Sequence, residues 1–162
     1  KDIVIGTGWS GAIKSFSFRG EASWFAPYKD FSFDESTVLA TAGFDKIFSD
    51  NSMAQVQVMY CNNPPDPDNF DAFYSGSLTS KDQAFSKFSA FGEFTWATTP
   101  LLNIGVPVMW FPDLDGYFAG LSMDYSLAEN LDFSLIWQHF NARIAGARKN
   151  MNMGFLRLKY SF

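Results

Sequence analysis

The sequence predicts an all-β fold, an antiparallel up-and-down transmembrane β-barrel to which this chain contributes about nine strands. Three observations carry that expectation. Apolar and polar residues alternate with a period of two along almost the whole chain. Each alternating run is about ten residues long; at roughly 3.3 Å per residue and a tilt near 40°, such a strand rises about 25–28 Å, which suits a lipid-facing band. The connections are short and long in turn, as in barrels with tight turns on one side of a membrane and longer loops on the other.

Taken in order, the first run sets Ile3, Ile5, Thr7 and Trp9 against Val4, Gly6, Gly8 and Ser10, and is the least regular. The second sets Phe16, Phe18, Gly20, Ala22 and Trp24 against Ser17, Arg19, Glu21 and Ser23. The third opposes Val38, Ala40, Ala42 and Phe44 to Thr37, Leu39, Thr41 and Asp45, and the fourth opposes Ala54, Val56, Val58 and Tyr60 to Gln55, Gln57, Met59 and Cys61. In the fifth, Phe88, Ala90, Gly92, Phe94 and Trp96 face away from Lys87, Ser89, Phe91, Glu93 and Thr95. The sixth alternates Leu102, Ile104, Val106, Val108 and Trp110 with Asn103, Gly105, Pro107 and Met109. The seventh alternates Tyr117 through Leu127 with Phe118 through Ser126, and the eighth Leu131 through Trp137 with Asp132 through Gln138. The last places Gly154, Leu156, Leu158, Tyr160 and Phe162 opposite Arg157, Lys159 and Ser161.

Short connections are expected at Lys14-Ser15, Ser49–Ser52, Thr98–Pro100 and Ala128–Asn130. Long ones are expected at Ala26–Glu35, Asn62–Lys81 and Asn141–Asn150, with Pro112–Gly116 a shorter member. If the short turns are periplasmic, the last strand descends into the periplasm. Trp24, Tyr60, Trp110 and Tyr117 then fall at the external end of their strands, and Phe16, Trp96, Tyr125, Tyr160 and Phe162 at the periplasmic end. Rings with an apolar body and a polar edge favour the boundary between lipid and water, so these are the expected aromatic girdles. A soluble β-sandwich also alternates, but its strands are shorter and it has no reason to gather Trp and Tyr at strand ends.

Composition narrows the function classes. Charged residues make up 18% of the 162 residues and aromatic ones 19%, too apolar a balance for a disordered chain. Mean hydropathy is nevertheless only −0.07, as expected of strands that are polar on one face and apolar on the other. The net charge of −5 argues against a nucleic-acid partner. One Cys and one His exclude an internal disulfide and multi-histidine or multi-cysteine metal centres. Lys1 leads directly into Ile3-Val4-Ile5 with no signal-peptide pattern, and no stretch reads as a transmembrane helix. No nucleotide or cofactor motif is present, and no cofactor is expected.

The segment Gly154-Phe-Leu-Arg-Leu-Lys-Tyr-Ser-Phe162 resembles the C-terminal signal of Gram-negative outer-membrane β-barrel proteins, porin-like in kind, with Tyr160 and the final Phe162 as its aromatic elements. Leu127–Leu135 is similar to a periplasmic turn and strand of such barrels, and Val4–Trp24 is loosely similar to a porin hairpin. The resemblance implies a multi-pass protein of the outer membrane, in contact with membrane lipids and lipopolysaccharide. It also implies recognition by the barrel-assembly machinery through strand addition.

An odd strand count conflicts with the even number of bacterial single-chain barrels. Either the glycine-rich Gly6–Gly11 is a plug or loop, leaving a complete eight-stranded barrel, or the chain is the C-terminal part of a larger one. The second is favoured because Ile3–Ile13 still suits a hairpin with Phe16–Phe25, and remaining strands from the same or another chain are then expected.

The expected lumen wall carries Arg19, Lys87, Arg157 and Lys159 against Glu21, Asp45, Glu93, Asp124 and Asp132. Such charges either pair across the wall or set the selectivity of a pore, and pairing is the stronger expectation for any one of them. For Arg157 and Lys159, neutralisation by Asp132 and nearby carboxylates is expected. His139 continues the outward face and reads as an interfacial ring; no Gly-x-Ser-x-Gly elbow accompanies it, so no enzyme is expected. Asp66, Asp68 and Asp71 read as a solvated acidic loop rather than a calcium site. Cys61 belongs to the lumen side near the external end.

The function expected is passive diffusion of small polar solutes or ions through a hydrated lumen. The alternative is a structural or interaction barrel, for adhesion or as a sheath for a partner protein. Inward Phe91, Phe118, Phe140 and Phe155 favour that alternative, because they suit packing against a guest.

Overall fold

A computed structural model describes residues 2–29, 35–64, 80, 84, 86–144 and 146–162. The strands are β1 (Asp2–Ile13), β2 (Phe16–Pro27), β3 (Thr37–Ile47), β4 (Met53–Cys61), β5 (Phe88–Thr99), β6 (Leu102–Phe111), β7 (Gly116–Ala128), β8 (Leu131–Ile144) and β9 (Ala147–Tyr160). They form one all-antiparallel, nine-stranded up-and-down sheet in the order β1 to β9. The sheet is not closed: β1 and β9 each have one paired side. Gly6–Gly11 lies within β1, in continuous register with β2 from Asp2↔Pro27 to Ile13↔Phe16, so the reading of that segment as a plug or loop is corrected. Glycine weakens a strand, but Ile3, Ile5 and Ile13 flank the run and a full ladder partner offsets the loss.

Each short turn has a local cause. Lys14, at φ 56°, turns β1 into β2. Between β3 and β4, Asn51 takes φ 63°, and Asp50 accepts hydrogen bonds from the Ser52 amide (3.1 Å) and hydroxyl (2.6 Å). The Ser52 hydroxyl, then the amide, hold the Asp50 carboxyl below its ordinary pKa. Register shifts at Ala97/Thr99 and Ser126/Ala128 mark irregularities beside the β5–β6 and β7–β8 turns.

At the opposite end, side chains tie the connections to the sheet. Asn62 accepts from the Val38 amide (2.7 Å) and donates to the Ser36 carbonyl (3.0 Å). The β6–β7 link is a 3-10 turn, Pro112–Leu114, closed by Asp115 at φ 43°. Asp113 accepts from the amides of Lys87 (2.5 Å) and Phe88 (3.2 Å), anchoring the start of β5.

Two sequence expectations change. Asn141–Asn150 is not a long loop: β8 and β9 continue in register to Ile144↔Ala147. Polar residues hold this extension, with Arg148 donating to Asn141 (2.9 Å) and to Asp115 (2.9 Å). Phe162 lies beyond the ladder, which stops at Tyr160; the Ser161 amide still reaches the Asn130 carbonyl (2.9 Å). Pro107 also leaves a mark. The β6–β7 ladder runs from Gly105↔Ser122 to Val108↔Ala119 and omits Val106 and Pro107, consistent with a residue that has no N–H to give.

Candidate functional site

Register decides which side chains share a face. Starting from Arg19, the cross-strand chain runs through Gly43, Gln57, Phe91, Met109, Phe118 and Phe140 to Met151. Following every pairing in this way places Arg19, Glu21, Asp45, Glu93, Asp124, Asp132, Arg157 and Lys159 on one face of the sheet. Lys87 precedes β5 and stands outside the ladder, at the long-connection end.

The opposite face is apolar and uncovered. Ile5 is 60% exposed, Phe44 62%, Val56 57%, Trp110 57% and Leu156 73%. In a sheet with a second layer these would be the core; here the buried apolar set among the described residues is only Phe25, Ala26, Cys61, Ala84, Phe111, Leu114 and Ala142. On this apolar face Trp24, Tyr60, Trp110 and Tyr117 lie toward the long connections, and Phe16, Trp96, Tyr125 and Tyr160 toward the short turns. At the short-turn end the Lys46 ammonium stands 4.8 Å from the ring centres of Phe16 and Phe48.

His139 also belongs to the apolar face. Its ring stacks on Trp137 at 6.1 Å and lies 5.5 Å from Tyr117. Nδ1 lies 2.8 Å from Asn152 Oδ1 and Nε2 3.3 Å from the Tyr117 hydroxyl, so both ring nitrogens have a polar partner.

The charged face divides into two groups. In the first, Arg19 Nη1 donates to Asp45 Oδ2 as an ion pair, and Gln55 donates to Glu93 (2.8 Å). Asp45 Oδ1 is buried without a hydrogen-bond partner. Arg19, Glu21, Thr41 and Gln57 line a groove of about 660 Å³. In the second group, Asp124 accepts from the Ser134 hydroxyl (2.6 Å) and Asp132 from the Ser126 hydroxyl (2.6 Å). Asp124, Asp132, Arg157 and Lys159 surround a recess of about 290 Å³.

Among the described residues no ion pair joins Arg157 or Lys159 to Asp124 or Asp132, although Lys159 is in register with Asp132. Serine hydroxyls reach these carboxylates instead, and the two cations stand exposed on β9 beside the same recess. Ser126, Ser134 and Gln55 were not legible as site residues, since neutral polar side chains on an alternating strand give no distinguishing signal.

Toward the long connections the same face changes character. Phe111, Leu114 and Ala142 are buried together, with Met109, Phe118, Phe140 and Ile144 packed against them. The rings of Phe111 and Phe140 are 6.3 Å apart. Of the four inward phenylalanines singled out from sequence, Phe118 and Phe140 join this cluster, and Phe155 is 50% exposed on β9. Phe111 and Leu114 escaped notice because the 3-10 turn that brings Leu114 to the cluster breaks the alternation. Cys61 is buried at the end of β4, its amide donating to the Lys87 carbonyl (2.9 Å). Asp66, Asp68 and Asp71 lie outside the described residues.

No protein-family model matches this chain, and neither a curated protein nor a solved structure matches it.

Proposed function

We propose that this nine-stranded sheet is wall of an outer-membrane β-barrel, and that the barrel is a passive pore for small polar solutes and ions. One observation carries the reading: a wide apolar face is exposed on all nine strands, while most charged strand residues lie on the other face and Lys46, Arg143 and Arg148, which share the apolar face, sit near strand ends. In water, exposure on that scale favours aggregation; in a bilayer it is the stable orientation, because acyl chains cover it and every ladder hydrogen bond remains internal. The charged face then borders a hydrated lumen, where Glu21, Glu93, Asp124, Asp132, Arg157 and Lys159 set limits of size and charge. The aromatic bands contact lipid headgroups and, on the outer side, lipopolysaccharide. Tyr160 and Phe162 serve recognition by the assembly machinery. The solute's own gradient is the driving force.

The test is a planar-bilayer recording of the full, detergent-folded protein. Discrete conductance steps are expected; their absence overturns the pore. Solubility and monodispersity without detergent overturn the membrane assignment itself.

The Phe111–Phe140 cluster favours a second reading, a barrel that holds structure or a partner rather than solution. A tightly held second polypeptide after purification, with no conductance, supports that reading. If Phe140→Ala increases single-channel conductance, the cluster narrows a pore instead.

A further inference from the structure

We infer that Arg143 and Arg148, on the apolar face of the β8–β9 hairpin, form a clamp for the phosphate of a lipopolysaccharide molecule in the outer leaflet. The inference rests on the membrane reading above and adds to it a defined lipid site.

Register sets the two arginines directly opposite each other, Arg143↔Arg148. Like charges opposed across an antiparallel pair destabilise it unless an anion stands between them. Asp115 supplies part of that anion: its Oδ2 lies 2.9 Å from Arg148 Nη1 and 3.8 Å from Arg143 Nη2. Two guanidinium groups thus share one carboxylate, a positive patch on a chain whose net charge is −5. The two groups are not equivalent. Arg148 is oriented further by Asn141 Oδ1 (2.9 Å) and by the Asp115 carbonyl (3.3 Å). Arg143 is 61% exposed and holds Asp115 at the longer distance, so it can turn its planar donor fork toward a second anion. A phosphate monoester carries about −1.5 to −2 charge near neutrality and accepts paired hydrogen bonds from such forks, so it satisfies both arginines better than one shared carboxylate does.

Position selects a phosphate on a lipid. Trp110, Tyr117, Asn141 and Asn150 form one row across four strands of the apolar face. The arginine pair lies two residues beyond that row toward the long connections, about 7 Å along the strand. On the near side of the row, His139 and Trp137 stack at 6.1 Å, and below them Leu156 is exposed. Along β8 and β9 the face therefore runs from cations through asparagines and aromatic rings to aliphatic side chains. A lipid that carries phosphate on an acylated sugar meets them in the same order: phosphate, sugar, interface, acyl chain. With the long connections outside, that lipid lies in the outer leaflet.

The experiment titrates the full, detergent-folded protein with phosphorylated lipid A, with dephosphorylated lipid A and with inorganic phosphate, and follows the backbone amide shifts of Arg143 and Arg148. Saturable shifts are expected with phosphorylated lipid A, with affinity roughly tenfold lower for the dephosphorylated form, as for loss of a charge-assisted hydrogen bond. Arg143→Gln is expected to weaken phosphorylated lipid A by a similar factor and to leave the dephosphorylated form unchanged. Lys149→Gln removes the same charge from the opposite face of β9 and is expected to change neither. Equal affinity for the two forms of lipid A, or an Arg143→Gln variant that binds as the parent does, overturns the clamp. Equal weakening by Lys149→Gln shows a general effect of charge and overturns it too. Inorganic phosphate binding as tightly as lipid A makes this a site for a dissolved anion and overturns the lipid assignment. A protein that stays dissolved and monodisperse without detergent fails at the membrane reading, whereas one that requires detergent and fails these titrations loses the clamp alone.

Discussion

The indole of Trp9 on β1 lies across the backbone of Gly20, its register partner on β2. A Cβ at residue 20 would overlap that ring and come 2.8 Å from the Thr41 carbonyl oxygen on β3. Glycine is required there by a neighbour's bulk, and the ring in turn covers the gap a glycine leaves in the strand. Gly20→Ala is expected to destabilise the folded protein by about 1–3 kcal/mol, the range for overpacking. Urea unfolding in detergent measures it. A Trp9→Ala, Gly20→Ala double variant is expected to lose less than the sum of the two single changes, because the clash disappears with the ring.

The Arg19–Asp45 pair predicts an asymmetry. The Asp45 side chain is 14% exposed and Arg19 50%, so removing the arginine strands a nearly buried carboxylate whose Oδ1 already has no partner. Arg19→Gln is expected to cost about 1–3 kcal/mol. The double variant Arg19→Gln, Asp45→Asn should recover part of that loss. Equal loss in the single and the double variant would show that the pair contributes nothing specific.

The two faces should answer a lysine differently. Val58, in register between Ala42 and Ala90, stands at mid-strand on the apolar face. Val58→Lys is expected to cost about 2–4 kcal/mol in a bilayer, as for a lysine at the membrane midplane. Thr41→Lys, on the charged face opposite Glu21, is expected to be nearly neutral. Refolding into lipid vesicles followed by urea titration compares them, and equal effects would contradict a lipid-facing surface.

Asp50 gives a pH dependence with a definite sign. Its folded pKa is lowered, so the contribution of the Ser52 contacts is complete above the ordinary carboxylate range. It is lost as pH falls through the folded value. Amide exchange at Ser52 should therefore be protected near neutrality and lose protection in acid, beyond the intrinsic change in exchange rate. Asp50→Asn should remove most of that pH dependence.

Much of this protein was legible from its sequence. Alternation is a property of neighbouring residues, so it assigned nearly every strand, both faces and the positions of the short turns without reference to any partner. Arg19, Asp45, Asp124, Asp132, Arg157 and Lys159 fell on one face for the same reason: parity along a strand is local. Pairing is not local. That Arg19 meets Asp45, 26 residues away, while Lys159 opposite Asp132 makes no ion pair, depends on strand register and on which hydroxyls reach the carboxylates first. The tertiary structure likewise continued β8 and β9 through a polar stretch that reads as loop, because Arg148 finds Asn141 and Asp115 there. It also gathered Phe111, Leu114 and Phe140 from three segments into one cluster. A side chain's face follows from its own strand, but its partners follow from the alignment of strands distant in sequence, which only the folded sheet decides.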